Sequence, residues 1–111
     1  MKRGDIWIVN LEPGFGREIH KKRPALIISR NLIHEVTKSV IIIPISSQVP
    51  HIVGPEMIVL HKDAGVDKPS VLLPLFIRSI DQVRLVKKTG SLPPKTMKEI
   101  EEALQLILDL L

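Results

Sequence analysis

The chain has 111 residues, so residues 1–111 are expected to form a single domain with one modest core. It contains no cysteine, which excludes disulfides and thiolate metal sites and suits a reducing compartment. Sixteen Lys and Arg against twelve Asp and Glu leave a net charge of +4, compatible with a polyanionic partner without demanding one.

A hydrophobic fraction of 44% marks a folded chain rather than a disordered one. The longest apolar run, residues 40–45, contains Pro44 and is far too short to cross a bilayer. The N-terminus, with Lys2, Arg3 and Asp5 ahead of a short mixed strand, does not read as a signal peptide. A cytoplasmic protein with no membrane contact is the expectation.

The first predicted strand covers residues 6–10, rich in Ile and Val and closed by a turn at Pro13. A charged loop follows, in which Arg17, Lys21, Lys22 and Arg23 fall within seven residues and only Glu18 opposes them. Taken alone, such a run is a solvated loop. Gly14 and Gly16 flank Phe15 and give the backbone freedom to close over a ligand, without the third glycine and helix of a dinucleotide fingerprint. Pro24 then opens a strand predicted over residues 25–29. Arg23 is thereby left at the loop-to-strand junction, where a rigid scaffold can present its planar fork of donors to an anion.

Further strands are predicted at 40–45, 57–60, 70–73 and 84–89, with loops over 47–55 and 61–69. Pro24, Pro44 and Pro74 each remove a ladder donor and so predict a strand start, an edge or a bulge. Many of these runs are apolar on both faces, which implies a curled or closed sheet. The period then changes. Met97, Ile100, Leu104, Ile107, Leu108 and Leu111 follow one face of a helix. Its start is marked by a capping box at Thr96 and Glu99, or slightly earlier by Pro93 and Pro94. Ala103, Leu106 and Leu110 widen the apolar surface, either to cover the sheet or to meet another subunit.

Two blocks carry a family resemblance: Arg3-Gly4-Asp5-Ile6-Trp7, leading to Leu11 and Pro13, and Gly16-Arg17-Glu18, leading to Arg23-Pro24-Ala25-Leu26-Ile27-Ile28-Ser29. Together they resemble the start of the MazF/PemK family of toxin endoribonucleases, and the likeness extends through residues 40–47, 70–81 and the terminal helix. The resemblance implies a mainly β fold with a C-terminal helix, a small SH3-like β-barrel of the PemK/CcdB type, usually homodimeric. It implies cleavage of single-stranded RNA with no metal or other cofactor. In that reaction the ribose 2′-oxygen attacks the neighbouring phosphate, giving a cyclic phosphate and a free 5′-hydroxyl. The implied partner is a cognate antitoxin, expected to be acidic, that covers the RNA groove.

Carried over residue by residue, the resemblance assigns catalytic roles to Arg23, Ser46 and Glu18 and maps onto Arg78; Arg17, His20, Lys21 and Lys22 of the charged loop, and Ser47 beside Ser46, are further candidate RNA contacts that the resemblance itself does not assign. The chemistry is consistent. A fixed guanidinium stabilises the charge that grows on a pentavalent phosphorus more than it stabilises the ground state. A serine hydroxyl can donate to the same oxygens or to the nucleophile. A guanidinium, with a pKa above ~12, is a poor proton carrier, so Glu18 is the better acceptor and His20 a second candidate. Arg78 is read either as a phosphate ligand or as an ion-pair partner of Asp81 at helix-like spacing. His34, His51 and His61 are isolated, with no metal-ligand spacing.

The chain departs from the family pattern at Leu75 and Phe76, where many relatives place a polar, often acidic, residue and then Gln. An acid that assists the 2′-oxygen there has no counterpart in Leu75. Aromatics total 3%, which limits base stacking to Phe15 and leaves Trp7 for the core. Two other readings stay open: a same-fold toxin of the gyrase-poison type that binds protein through its terminal helix, and an RNA-binding relic with impaired catalysis.

Overall fold

The computed structural model describes residues 1–12, 21–61 and 65–110. Its elements are β1 (Asp5–Asn10), β2 (Lys22–Ile27), α1 (Asn31–Val36), β3 (Ser39–Ser46), β4 (Ile58–Leu60), β5 (Ser70–Leu72), β6 (Arg78–Asp81), β7 (Leu85–Ser91) and α2 (Pro94–Leu108). Short 3₁₀ turns at Pro74–Phe76 and Gln82–Arg84 flank β6. Among the described residues the strands are ordered β4-β5-β3-β2-β1-β7, and β6 pairs with β3 beside that path.

β3 is the hub. One edge pairs Ile42, Ile43 and Pro44 with Ile27, Leu26 and Ala25 of β2. The other edge is shared: its first half pairs with β6, from Ser39 opposite Asp81 to Ile42 opposite Arg78, and its end pairs Ile45 and Ser46 with Leu72 and Val71 of β5. Pro44 stands where β6 gives way to β5. Its carbonyl accepts Leu73 N–H at 3.0 Å, so its hydrogen-less nitrogen faces the same gap and no ladder bond is lost. Pro24 pairs with Ile8 of β1, and the ladder to β3 begins only at Ala25, so Pro24 lies on an open stretch of edge.

Both faces of this curled sheet are apolar. On one, Ile6, Leu26, Ile43, Ile45 and Leu72 pack beneath Met97 and Ile100 of α2. On the other, Val9, Ala25, Ile27, Val40, Ile42 and Ile80 form a second cluster, with Trp7 and Leu85 against it. Each fully buried Ile or Leu contributes about 1.5–3 kcal/mol, which makes these two clusters the main favourable term in folding.

Several boundaries differ from the sequence reading. β2 starts at Lys22 rather than residue 25, because Val9 and Asn10 of β1 pair with Arg23 and Lys22. α2 starts at Pro94 with Pro93 as its N-cap, whose carbonyl accepts Met97 N–H at 3.1 Å. Thr96 therefore lies inside the first turn, and no side chain caps the helix. Arg78 and Asp81 lie on a strand, where three-residue spacing puts them on opposite faces; the Asp81 carboxylate accepts Val83 N–H at 2.9 Å. The core uses the first half of α2 through Met97, Ile100 and Ala103, while Leu106, Leu108 and Leu110 are exposed. Among the described residues no helix is long and apolar enough to cross a membrane.

Candidate active site

A cleft of about 350 Å³ opens where β2 and β3 part. The register that pairs Ala25 with Pro44 would, if continued, set Arg23 opposite Ser46. After Pro44, however, β3 turns to β5, and the strands diverge. Arg23 and Ser46 are left lining one cleft, with Ile8, Pro24, Ile45 and Val66 as its apolar part. Strands on both sides hold the backbone under these two side chains, which is the rigidity a pre-organised site requires.

Ser46 is locally fixed. Its Oγ accepts Gln48 N–H at 3.1 Å, which sets the hydroxyl and leaves its own hydrogen free to donate. Ser47 and Gln48 complete that side of the cleft. Arg84 anchors the far end of β1: its Nη1 donates to the Asn10 carbonyl at 3.0 Å and also to the Glu12 carbonyl. Lys21, just before β2, holds a left-handed φ of 75°, and its carbonyl accepts Leu11 N–H at 3.0 Å. That conformation is unfavourable for a residue with a Cβ, so the pairing of β1 with β2 sustains it.

The facing wall comes from the segment before β5. Gly65 has a φ of +86°, and a Cβ added to Gly90 of β7 would lie 2.6 Å from the Gly65 Cα. Only two glycines permit that approach. Thr89 Oγ1 donates to the Gly65 carbonyl at 3.1 Å, and buried Ser70 donates to the Lys68 carbonyl at 2.9 Å. Between these two ties, Asp67 and Lys68 enter the cleft lining. The described lining therefore carries Lys22, Arg23 and Lys68 against the single carboxylate of Asp67, a net positive field suited to an anion.

Residues 2–108 match the family described as "PemK-like, MazF-like toxin of type II toxin-antitoxin system". The chain belongs to that family. It is 32% identical over 112 residues to Endoribonuclease EndoA of Bacillus subtilis (strain 168), covering 100% of this chain and 97% of that protein. It is likewise 32% identical over 111 residues to Endoribonuclease MazF of Staphylococcus saprophyticus, covering 99% of this chain and 92% of that protein. Among solved structures, a MazF from Deinococcus radiodurans matches with a TM-score of 0.86 at 25% identity, covering 98% of this chain and 96% of that one. The mainly β architecture closed by a C-terminal helix is thus the MazF-like fold.

In this MazF-like toxin the cleft brings together Lys22, Arg23, Ser46 and Ser47 of the residues singled out from sequence. Lys21 is exposed and adjoins the cleft without lining it. Arg78 does not line it either, since it pairs with Ile42, four residues along β3 from Ser46. Arg17, Glu18 and His20, like Phe15, lie outside the described residues. Leu75 and Phe76 sit in the exposed 3₁₀ turn after β5, away from the lining. Sequence reasoning missed Gln48, Asp67, Lys68 and Ser70. No local pattern marks Asp67 and Lys68, because a contact with Gly90, remote in sequence, puts them there.

Proposed function

We propose that this chain is a toxin that cuts single-stranded RNA through Arg23 and Ser46, without a metal ion, and that residues 1–111 act as one domain. The observation that carries this reading is the single cleft shared by Arg23 and Ser46, rimmed by Lys22 and Lys68, in a family whose relatives are named endoribonucleases.

A phosphodiester entering the cleft meets the ammonium groups of Lys22 and Lys68, and its non-bridging oxygens meet the Arg23 guanidinium. The Ser46 hydroxyl donates to the same oxygens, its rotor already set by Gln48 N–H. When the ribose 2′-oxygen attacks, negative charge builds on those oxygens and both donors strengthen their hold, which lowers the barrier. The P–O bond to the 5′-oxygen breaks, leaving a cyclic phosphate on one fragment and a 5′-hydroxyl on the other. The 2′-proton needs an acceptor, for which the sequence offers Glu18.

A type II toxin implies an antitoxin. A cleft with this charge fits an acidic antitoxin segment that competes with RNA. A second copy of the chain has apolar surface to meet, since Leu106, Leu108 and Leu110 are exposed at the end of α2. The absence of cysteine agrees with a cytoplasmic site of action. The test incubates purified protein with single-stranded RNA of mixed sequence in EDTA, with Arg23→Ala beside it. Cleavage to cyclic-phosphate ends by the wild type alone is expected. Intact RNA, or equal cutting by both proteins, overturns the reading.

A further inference from the structure

We infer that Asp67 is the general base that takes the ribose 2′-proton, an inference that rests on the ribonuclease reading above. The described cleft lining contains Lys22, Arg23 and Lys68, the hydroxyls of Ser46, Ser47 and Ser70, the amide of Gln48, and one carboxylate. Protonated ammonium and guanidinium groups hold no lone pair for a proton, and hydroxyl and amide oxygens are far too weakly basic near neutrality. Among the described residues no imidazole lines the cleft, since His51 and His61 are exposed and stand outside its lining. Asp67 is the single described group in the lining that can take a proton. It is also the acid that the sequence lacks at Leu75, supplied from a different segment.

Its placement is built into the fold. Asp67 stands two residues beyond Gly65, whose left-handed backbone lies against Gly90, and three before buried Ser70. Both ends of the segment are therefore held, which sets the backbone that carries the exposed Asp67 side chain at the cleft. The described charged groups that share the cleft with it are Lys22 and Arg23 from β2 and Lys68 from its own segment, all cationic.

The step balances. The 2′-hydroxyl proton passes to an Asp67 carboxylate oxygen as the 2′-oxygen forms its bond to phosphorus. The 5′-oxygen leaves with the electron pair of the breaking P–O bond and takes a proton from a water molecule. The hydroxide so formed is neutralised by the proton that Asp67 then releases. Nothing is oxidised or reduced, and no water is consumed overall.

The experiment measures single-turnover cleavage of mixed-sequence single-stranded RNA against pH for wild type, Asp67→Asn, Asp67→Glu and Glu18→Gln. Affinity is read with 2′-O-methyl RNA of the same sequence, which lacks the nucleophile. A general base is worth ~10²–10⁴ in rate, and a carboxylate belongs at the lower end, so Asp67→Asn is expected to be about 10²-fold slower. It should bind 2′-O-methyl RNA as the wild type does and lose the fall in rate at acid pH that carboxyl protonation causes. Asp67→Glu should recover part of the rate together with that acid limb. Wild-type rate in Asp67→Asn, an acid limb that persists in it but vanishes in Glu18→Gln, or a rate loss matched by lost affinity overturns the assignment. RNA cut by the wild type but not by Arg23→Ala, alongside an unaffected Asp67→Asn, removes this assignment alone. RNA left intact by the wild type removes the ribonuclease reading as well.

Discussion

Arg23 and Ser46 occupy positions that the β2–β3 register would pair, two residues beyond its last formed pair, Ala25 with Pro44. The ladder stops at the residue where β3, along its other edge, exchanges β6 for β5. The candidate site is therefore a gap in a sheet: two strands paired as far as Ala25 and Pro44, with Arg23 and Ser46 beyond them lining one cleft. On the proposed reading, a guanidinium on one lip and a hydroxyl on the other would meet a phosphate from two directions with little freedom to lose.

Substitutions at the two lips should differ in a way that reports their chemistry. Removing one preorganised donor to a developing oxyanion costs ~10²–10³ in rate, so Arg23→Ala and Ser46→Ala should each cut RNA slower by about that factor. Arg23→Lys should recover little, because an ammonium cannot span two oxygens as a planar fork does. Ser46→Thr keeps the hydroxyl and should stay near wild type. Single-turnover cleavage at saturating protein checks all four, and an Arg23→Lys variant as fast as wild type would show that a point charge suffices.

Gly90 should be as sensitive as any residue in the cleft, although it does not line it. A methyl group there would stand 2.6 Å from the Gly65 Cα, a backbone atom that cannot swing aside. Gly90 carries no left-handed φ, so the cost of Gly90→Ala is steric, about 1–3 kcal/mol for an overpacked site. The segment bearing Asp67 and Lys68 must move, so cleavage should fall along with the thermal midpoint. Thermal unfolding and RNA cleavage measured on one preparation test this, and a Gly90→Ala variant matching wild type in both would show the contact to be slack.

What could be read from the chain follows from how local its causes are. β1, β3 and α2 were legible because each buries apolar side chains, such as Ile6 and Val9 on the two faces of β1 or Met97 and Ile100 on one face of α2, whereas β7 buries none. α1 was not, since none of its six residues is buried and no side chain caps it. It is held from outside: the Gln82 amide donates to the carbonyls of His34, Thr37 and Ser39, and the Asn31 side chain accepts Arg3 N–H at 2.7 Å. β6 was missed for a similar reason, as its four residues bury only Ile80 and pairing with β3 makes them a strand. Within the site, Arg23 and Ser46 announce themselves beside strand patterns. Asp67 depends on a glycine contact that no local window contains.

The two halves of α2 should respond differently to truncation. Ile100 is fully buried, so Ile100→Ala removes contacts and leaves a cavity, at a cost of about 2–5 kcal/mol. Leu106 is 70% exposed, so Leu106→Ala should change the stability of the single chain by less than about 0.5 kcal/mol. If a second copy covers this end of the helix, the Leu106→Ala effect should grow with protein concentration, since dimer stability depends on mass action. Urea unfolding at two widely spaced concentrations separates these outcomes, and a large concentration-independent loss for Leu106→Ala would contradict its exposure.

Ser29 and His34 make stability depend on pH at a place remote from the cleft. Buried Ser29 accepts Ile41 N–H on its Oγ at 3.0 Å, so its own hydrogen is left to donate to His34 Nε2. An imidazolium has no lone pair to receive it. Nδ1 is buried with no hydrogen-bond partner among the described residues, so nothing on that side steadies a positive charge. Burial lowers the His34 pKa below its ordinary 6.5, the positive N-terminal amino group adds to this, and Glu35 opposes it. Folding therefore favours the neutral ring. The stabilisation is complete above pH 6.5 and is lost as pH falls through the lowered folded value. Thermal midpoints of wild type and His34→Gln, followed from about pH 8 down to about pH 5, should converge at the acid end as the wild type loses its advantage. A gap that stays constant over that range would mean that His34 takes up no proton on unfolding.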